Sequence, residues 1–120
     1  DTLVLAAPDP ANPYGAALAW PESAGHSPGR KAGALVVLDA GAPVVWLERG
    51  GRTALTWSRD PETLGRAAAA LADLIRTGRV SGLSIERVNG AASLGSDDPF
   101  VAALLTSGFA EVPRGVRLRR

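Results

Sequence analysis

The sequence predicts an α+β domain in which mostly antiparallel strands form either an open sheet or a partial β-barrel, together with two helices. Two observations carry this expectation: a series of β-rich runs separated by turn signals, and two segments of helical periodicity that each begin with Asp-Pro. The sequence contains no internal repeat, and its 120 residues suit one domain spanning residues 1–120.

The strands of the first half are marked by apolar runs and by glycine-containing turns. Residues 2–6, "TLVLA", predict a first strand that ends before Pro8. Three further β-rich runs lie at residues 34–39, 43–49 and 52–57. The turns between them, "AGA" and Gly50-Gly51, accept the positive φ angles of tight hairpins, so a three-stranded antiparallel meander is expected.

The two predicted helices share the same start and stop signals. In the first, Asp60 is the expected N-cap, Pro61 occupies the first helical position, and Gly78 ends the helix. The second repeats this order with Asp98, Pro99 and Gly108.

Further strands are expected on either side of the second helix. Residues 83–88, "LSIERV", predict one strand, followed by a turn at Asn89-Gly90. The segments "FAEV" and "VRLR", separated by Pro113-Arg114-Gly115, predict a last pair of short strands.

Composition limits the chemistry that this chain can perform. It has no cysteine, which excludes a disulfide framework and cysteine-ligated zinc. It has no methionine either and begins at Asp1, so we expect a piece of a larger protein. No apolar run reaches ~20 residues and no signal peptide is visible, so a cytoplasmic protein that does not contact membranes is expected.

Candidate catalytic and cofactor motifs do not reach the required pattern. The segment "GHSPGRKA" lacks the spacing and the hydroxyl of a phosphate-binding loop. The single histidine, His26, is interpreted as a solvated loop residue, and Asp97-Asp98 as helix-capping carboxylates. We therefore expect neither catalytic residues, nor a metal site, nor a cofactor within this chain.

Three segments are not explained by core formation alone: the loop "DPANPYG" at residues 9–15, the hairpin tip "ERGGR", and the acid-free end "RGVRLRR". Positive side chains there are candidates for phosphate contacts, and exposed aromatic rings nearby for base stacking. The candidate nucleic-acid-binding residues are Arg49, Arg52, Arg114, Arg117, Arg119, Arg120, Tyr14 and Trp20. The structural alternatives are that the loop braces the fold, that the hairpin arginines solvate the turn, and that the chain end frays.

The same segments carry a family resemblance. "LAAPDPANPYGAALAWPE", "GRKAGALVVL", "VVWLERGGR" and "GFAEVPRGVRLRR" resemble, in this order, the C-terminal end of the bacterial Lhr (large helicase-related) family. That family resembles superfamily 2 ATP-dependent helicases that move 3'–5' along single-stranded DNA and unwind duplexes, including RNA:DNA hybrids, in DNA repair. The resemblance implies that ATP and magnesium bind motor domains elsewhere in the protein. It also implies that this chain is a β-barrel-like module that follows winged-helix domains.

Three classes of function remain open at this point. The leading one is a noncatalytic module of a helicase that contacts nucleic acid or acts as a scaffold. The second is protein–protein assembly, with the preceding domains or with a second copy, for which Trp20, Trp46 and Trp57 are candidate anchors because one face of the meander needs a covering partner. The third is a part in base excision: the family's C-terminal region resembles DNA glycosylases with a Gln-x-Gln motif. This chain has no glutamine, and Asp9 is the only candidate acid.

Overall fold

Two sheets and two helices make up the described part of the chain, which is residues 1–23 and 27–120 of a computed structural model. The elements in chain order are β1 (Thr2–Ala6), β2 (Leu35–Asp39), β3 (Ala42–Leu47), a 3₁₀ turn (Arg49–Gly51), β4 (Thr53–Thr56), α1 (Pro61–Arg76), β5 (Gly82–Ile85), β6 (Arg87–Val88), β7 (Ala91–Ala92), α2 (Pro99–Thr106), β8 (Ala110–Val112) and β9 (Gly115–Arg119).

The larger sheet has the strand order β1-β2-β3-β4-β6-β7, and all its pairs are antiparallel except β4–β6. It contains the predicted meander, whose turns use positive φ angles at Ala40, Gly41, Gly50 and Gly51. The smaller sheet has the order β5-β9-β8 and is antiparallel throughout. The α+β expectation is thus confirmed in its open-sheet form, since the described strands close no barrel.

The strand predicted at residues 83–88 is divided between the two sheets. Its first part is β5 of the small sheet, and its second part is β6 of the large sheet. The division occurs because the backbone N–H groups of Glu86 and Arg87 both donate to the carbonyl oxygen of Arg52, at 3.0 and 3.1 Å. The prediction of one continuous strand was therefore wrong.

Both helices begin and end as predicted. Asp60 accepts a hydrogen bond from Thr63 N at 3.0 Å, and Asp98 accepts one from Phe100 N at 2.8 Å. Gly78 and Gly108 follow the helices at φ 79 and φ 109. Helix α1 buries its apolar stripe against the meander and α2.

One core unites the helices with both sheets. The meander contributes Val37, Val45 and Leu47 to it. Residues of the helices and the small sheet complete this core, among them Leu64, Leu71, Ile75, Phe100, Leu104, Leu83, Ile85 and Val116. The small sheet therefore has one apolar face turned inward and one face left for solvent.

The opposite face of the meander is covered by the chain itself. Trp46 is 4 % exposed and packs with Leu55, Ala7 and Ala34, and the half-buried Trp20 joins this cluster. The expectation that this face needs a covering partner was therefore wrong, because the residues before β2 supply the cover.

The "DPANPYG" loop is held by hydrogen bonds to its own backbone. Asn12 is 1 % exposed; its side chain donates to Ala7 O at 2.8 Å and accepts from Tyr14 N at 3.1 Å. The guanidinium of Arg30 donates to the carbonyl oxygens of Asn12 and Tyr14 at 2.7 and 2.8 Å. Asp9 closes a turn onto Ala11 N at 2.8 Å. The loop therefore braces the fold, which is the structural role considered for it in the sequence analysis.

Replacing Asn12 by alanine should destabilise the domain, because Ala7 O and Tyr14 N lose a buried partner. We expect the free energy of unfolding to fall by about 1–3 kcal/mol. Chemical denaturation followed by tryptophan fluorescence measures this change. Asp9→Asn, which keeps the turn acceptor, is the control and should stay close to the native value. Equal stability of Asn12→Ala and the native chain would contradict the bracing role.

The carboxylate of Asp39 makes stability sensitive to acid. It accepts from Arg66 Nη2 at 2.9 Å and from Thr2 Oγ1 at 2.8 Å. The Arg66 hydrogen bond, and then that of Thr2, hold the pKa of Asp39 below its ordinary value of 3.8. A lowered folded-state pKa contributes stability above the unfolded pKa and loses it as pH falls through the folded pKa.

Asp39→Asn should therefore be less stable than the native chain at neutral pH and should lose less on acidification. The melting temperatures of the two chains should start to converge as the pH approaches 3.8 and continue to converge at lower pH, through the lowered folded-state pKa of Asp39. Thermal unfolding across this range tests it, with Asp73→Asn on the exposed side of α1 as the charge-matched control. A constant difference between native and Asp39→Asn chains at all pH values would refute the linkage.

Candidate nucleic-acid interface

The outer face of the small sheet carries two of the predicted arginines. Arg117 and Arg119 are two positions apart in β9, so both side chains leave the same face. Their neighbours at positions 116 and 118 point inward, where Val116 is buried and Leu118 packs on the core. The alternation of "VRLR" thus separates two apolar anchors from two cations on opposite faces.

Small residues surround these two cations. Arg117 stands opposite Ser84 in β5 and Ala110 in β8, and Arg119 stands opposite Gly82. Residues paired across antiparallel strands share a face, so the neighbours of the guanidinium groups have short side chains or none. No carboxylate stands opposite either arginine, and the face remains open to an anionic ligand.

Arg120 extends this face at one end. It lines a cleft of ≈ 440 Å³ together with Arg117, Arg119 and Gly50, the last at the predicted hairpin tip. Its guanidinium lies over Gly78: a Cβ added to that glycine would come within 2.5 Å of Arg120 Nη1. Because Gly78 follows the C-terminus of α1, this position also lets Arg120 interact favourably with the helix dipole.

Arg114 extends the face at the other end. It lines a second cleft, of ≈ 290 Å³, which shares Arg117 and Ser84 with the first. The four arginines of the chain end therefore lie along two adjoining clefts. We call the surface formed by Arg114, Arg117, Arg119 and Arg120 the arginine face.

The arginine face differs from the structural arginines of this domain. Within residues 1–23 and 27–120, its four side chains form no ion pair and no side-chain hydrogen bond. By contrast, Arg66 binds Asp39, Arg76 donates to Ser107 O at 2.8 Å, and Arg30 holds the "DPANPYG" loop. The guanidinium donors of the arginine face remain available to an external acceptor.

The two hairpin arginines lie apart from each other. The Nε of Arg52 is 3.6 Å from Glu86 Oε1, and its side chain is 71 % exposed. Arg49 lies across Gly33, where an added Cβ would meet Arg49 Cγ at 2.6 Å, and it lines a different cleft of ≈ 360 Å³ with Lys31. Only the tip between them, Gly50, touches the cleft of the arginine face.

The two predicted stacking residues are used within the chain. The rings of Tyr14 and Trp20 stack with centroids 5.9 Å apart, and Trp20 stacks on Trp57 at 5.8 Å. Tyr14 Oη donates to Gly41 O at 3.0 Å, and Trp57 Nε1 donates to Glu22 O at 3.0 Å. This stack fastens the N-terminal segment to the sheet, and it does not line the clefts of the arginine face.

Chemistry other than binding finds little support in the described residues. They contain no group of His, Asp or Glu side chains arranged to hold a metal ion. Asp9, the candidate acid for base excision, is the acceptor of a local turn. His26 lies outside the described residues. No described helix is both long and apolar enough to pass through a bilayer.

Comparison with known proteins identifies the family. No family model matches the chain. It is 54% identical over 126 residues, covering 98% of its length, to a protein of Mycolicibacterium smegmatis named "Lhr helicase/ probable uracil glycosylase". It is 33% identical over 116 residues, covering 95% of its length, to the Escherichia coli protein named "Lhr helicase/uracil glycosylase". The chain belongs to the Lhr family of helicases.

This Lhr-family domain spans only 8% and 7% of the lengths of these two relatives. The match nevertheless covers nearly all of the chain, in agreement with the resemblance of its motifs to the C-terminal end of the Lhr family. Because most of each relative lies outside the matched region, their names describe proteins far larger than this domain.

Sequence analysis of this Lhr-family domain missed the residues that make the arginine face accessible. Gly82 and Ser84 drew no attention, although their positions opposite an arginine-rich strand leave its cations uncovered. Glu86, which lines the smaller cleft beside Arg114 and Arg117, was not among the predicted site residues either. The small residues opposite the arginines can be recognised by aligning "GLSI" with "GVRLR" as adjacent strands. That alignment requires the strand register, which the sequence alone does not provide.

Proposed function

We propose that this chain is a noncatalytic accessory module of an Lhr-type helicase, and that its arginine face holds the sugar–phosphate backbone of a single-stranded nucleic acid. The observation that supports this role is the set of four guanidinium groups along two adjoining clefts, which find no ion pair and no side-chain hydrogen bond within residues 1–23 and 27–120. Arginine offers several donors in a planar fork that matches phosphate oxygens. Phosphate contacts position a strand without reading its sequence.

The proposal extends to the protein of which this chain is a part. By its family, that protein is proposed to be a helicase that uses ATP and magnesium in motor domains elsewhere and to act on DNA or RNA:DNA hybrids. Cytoplasmic location, docking onto preceding winged-helix domains and association with a second copy stay predictions. The uracil glycosylase named for the relatives is not assigned to this chain, because its one candidate acid serves a turn.

Because the net charge of the domain is small, binding of a polyanion depends on where the arginines lie. Thirteen basic and twelve acidic residues leave a formal net charge of +1, so a non-specific attraction of the whole domain for a polyanion is weak. Binding must then depend on the local cations. Three of the acids have roles away from these cations, Asp60 and Asp98 at helix N-termini and Asp39 with Arg66.

Salt dependence of oligonucleotide binding tests the proposed function. If the four arginines each neutralise one phosphate, the slope of log affinity against log salt should be about −3 for single-stranded DNA. Fluorescence anisotropy with a labelled oligonucleotide measures it. Arg117→Gln should reduce the steepness by about 0.7, since one phosphate contact is lost.

Arg59→Gln is the matched control, because it removes one positive charge from an exposed residue that lines neither cleft. Its slope should equal that of the native chain. Equal changes in Arg117→Gln and Arg59→Gln would show that only overall charge matters, and absence of binding at low salt would refute the proposed function.

A further inference from the structure

The smaller of the two clefts of the arginine face has the features of a pocket for one organic group. It has a volume of ≈ 290 Å³ and lies where β5, the β8–β9 turn and the start of β9 meet. Val112 and Pro113 contribute apolar side chains to its lining, whereas the side chains of Ile85 and Val116 point into the core. Its polar side chains include Arg114, Arg117, Ser84 and Glu86. We call this cleft the Glu86 pocket.

The floor of the Glu86 pocket depends on a glycine. A Cβ on Gly115 would collide with Ile85 O and would come within 2.6 Å of Ser93 Oγ, so only glycine lets β9 lie this close to the end of β5. Ser93 is fully buried, and its hydroxyl donates to Ile85 O at 2.6 Å. This hydrogen bond gives the carbonyl oxygen of Ile85 a partner at the point where β9 crosses the end of β5.

Of the described residues, Glu86 is the only carboxylate that lines this pocket. One of its oxygens forms an ion pair with Arg52 Nε at 3.6 Å, which is beyond hydrogen-bonding distance, and its side chain is 28 % exposed. Among the described residues it accepts no side-chain hydrogen bond. An ionised carboxylate can accept several, so Glu86 retains capacity for a donor that enters the pocket.

The arrangement separates two kinds of recognition. The guanidinium groups of Arg114 and Arg117 attract phosphates, whereas the carboxylate of Glu86 repels them and attracts N–H donors. A free phosphate therefore does not suit the interior. A nucleobase on a phosphate chain does, since its ring covers apolar surface while its edge offers hydrogen-bond donors.

The carboxylate also distinguishes between bases. Glutamate accepts from the exocyclic N4 amino group of cytosine, a group that thymine lacks. Adenine and guanine carry amino groups too, but cytosine and thymine differ in this group at nearly the same ring size. Comparing the binding of cytosine with that of thymine therefore isolates the contribution of Glu86.

Resting on the proposed function, we propose that the Glu86 pocket binds an unpaired nucleobase that carries an exocyclic amino group, cytosine foremost. Glu86 is its specificity-determining residue. Arg114 and Arg117 hold the phosphates on either side of the bound base, and Pro113 with Val112 provides the surface on which the ring lies.

Binding of this chain to oligo-dC and oligo-dT of equal length tests the pocket. At slightly alkaline pH and low salt, the native chain should bind oligo-dC about fivefold more tightly, less than a buried charged hydrogen bond contributes because the pocket is open to solvent. Glu86→Gln should bring this ratio to about one, because an amide can donate to thymine O4 as well as accept from cytosine N4.

Glu111→Gln is the matched control. It removes the same negative charge from the same sheet, but Glu111 is exposed and does not line the pocket. It should raise affinity for both oligonucleotides and leave their ratio unchanged. Melting temperatures of both variants verify that they are folded.

The possible outcomes distinguish failure of the Glu86 pocket from failure of the proposed function. Equal native affinity for oligo-dC and oligo-dT, or a ratio that Glu86→Gln does not alter, overturns the Glu86 pocket and leaves the proposed function standing. Failure of the native chain to bind either oligonucleotide overturns both. A ratio that changes equally in Glu86→Gln and Glu111→Gln overturns the assignment to Glu86, since charge alone then explains it.

Discussion

Burial of both faces of the meander is the constraint on which the rest of this structure depends. Val37 and Val45 point to the helices, whereas Trp46 and Leu55 point to the other side, so the strands leave no face for water. A sheet that is apolar on both faces needs two covering layers. The helices supply one, and the segment before β2 supplies the other. The polar groups of that segment must then be satisfied near the sheet, which Asn12 achieves within the loop.

The small sheet stands under a different constraint, because only its inner face joins the core. Leu83, Ile85 and Val116 anchor it, and nothing in the described residues packs over its outer face. Burial of apolar surface therefore determines where the strands lie but places no demand on the outward side chains. The arginines at alternate positions opposite Gly82 and Ser84 are not part of this core, so burial does not explain them, and the proposed binding of a nucleic acid would.

Local signals in the sequence were sufficient for most of the fold. The Asp-Pro starts, the glycine stops and the hairpin turns each depend on residues close in sequence, and so the helices and the meander could be predicted. The division of residues 83–88 between two sheets could not, because it is caused by the carbonyl of Arg52, a residue more than thirty positions away. The same limit applies to the site: the acid-free end of the sequence identified the arginines, but only the strand pairing shows that Arg117 and Arg119 share one face and have small neighbours.

The glycines of the small sheet connect its fold to its chemistry. Gly115 is required because β9 passes so close to Ile85 O and Ser93, and the space left beside this crossing is the pocket that Glu86 lines. Gly82 leaves room for the side chain of Arg119, which lies within 3.1 Å of where its Cβ would be. Such close approaches weaken a strand unless something else is gained. Here they bring Glu86 and several arginines onto adjoining parts of one surface, an arrangement that a uniformly basic patch would lack and on which the proposed discrimination between bases depends.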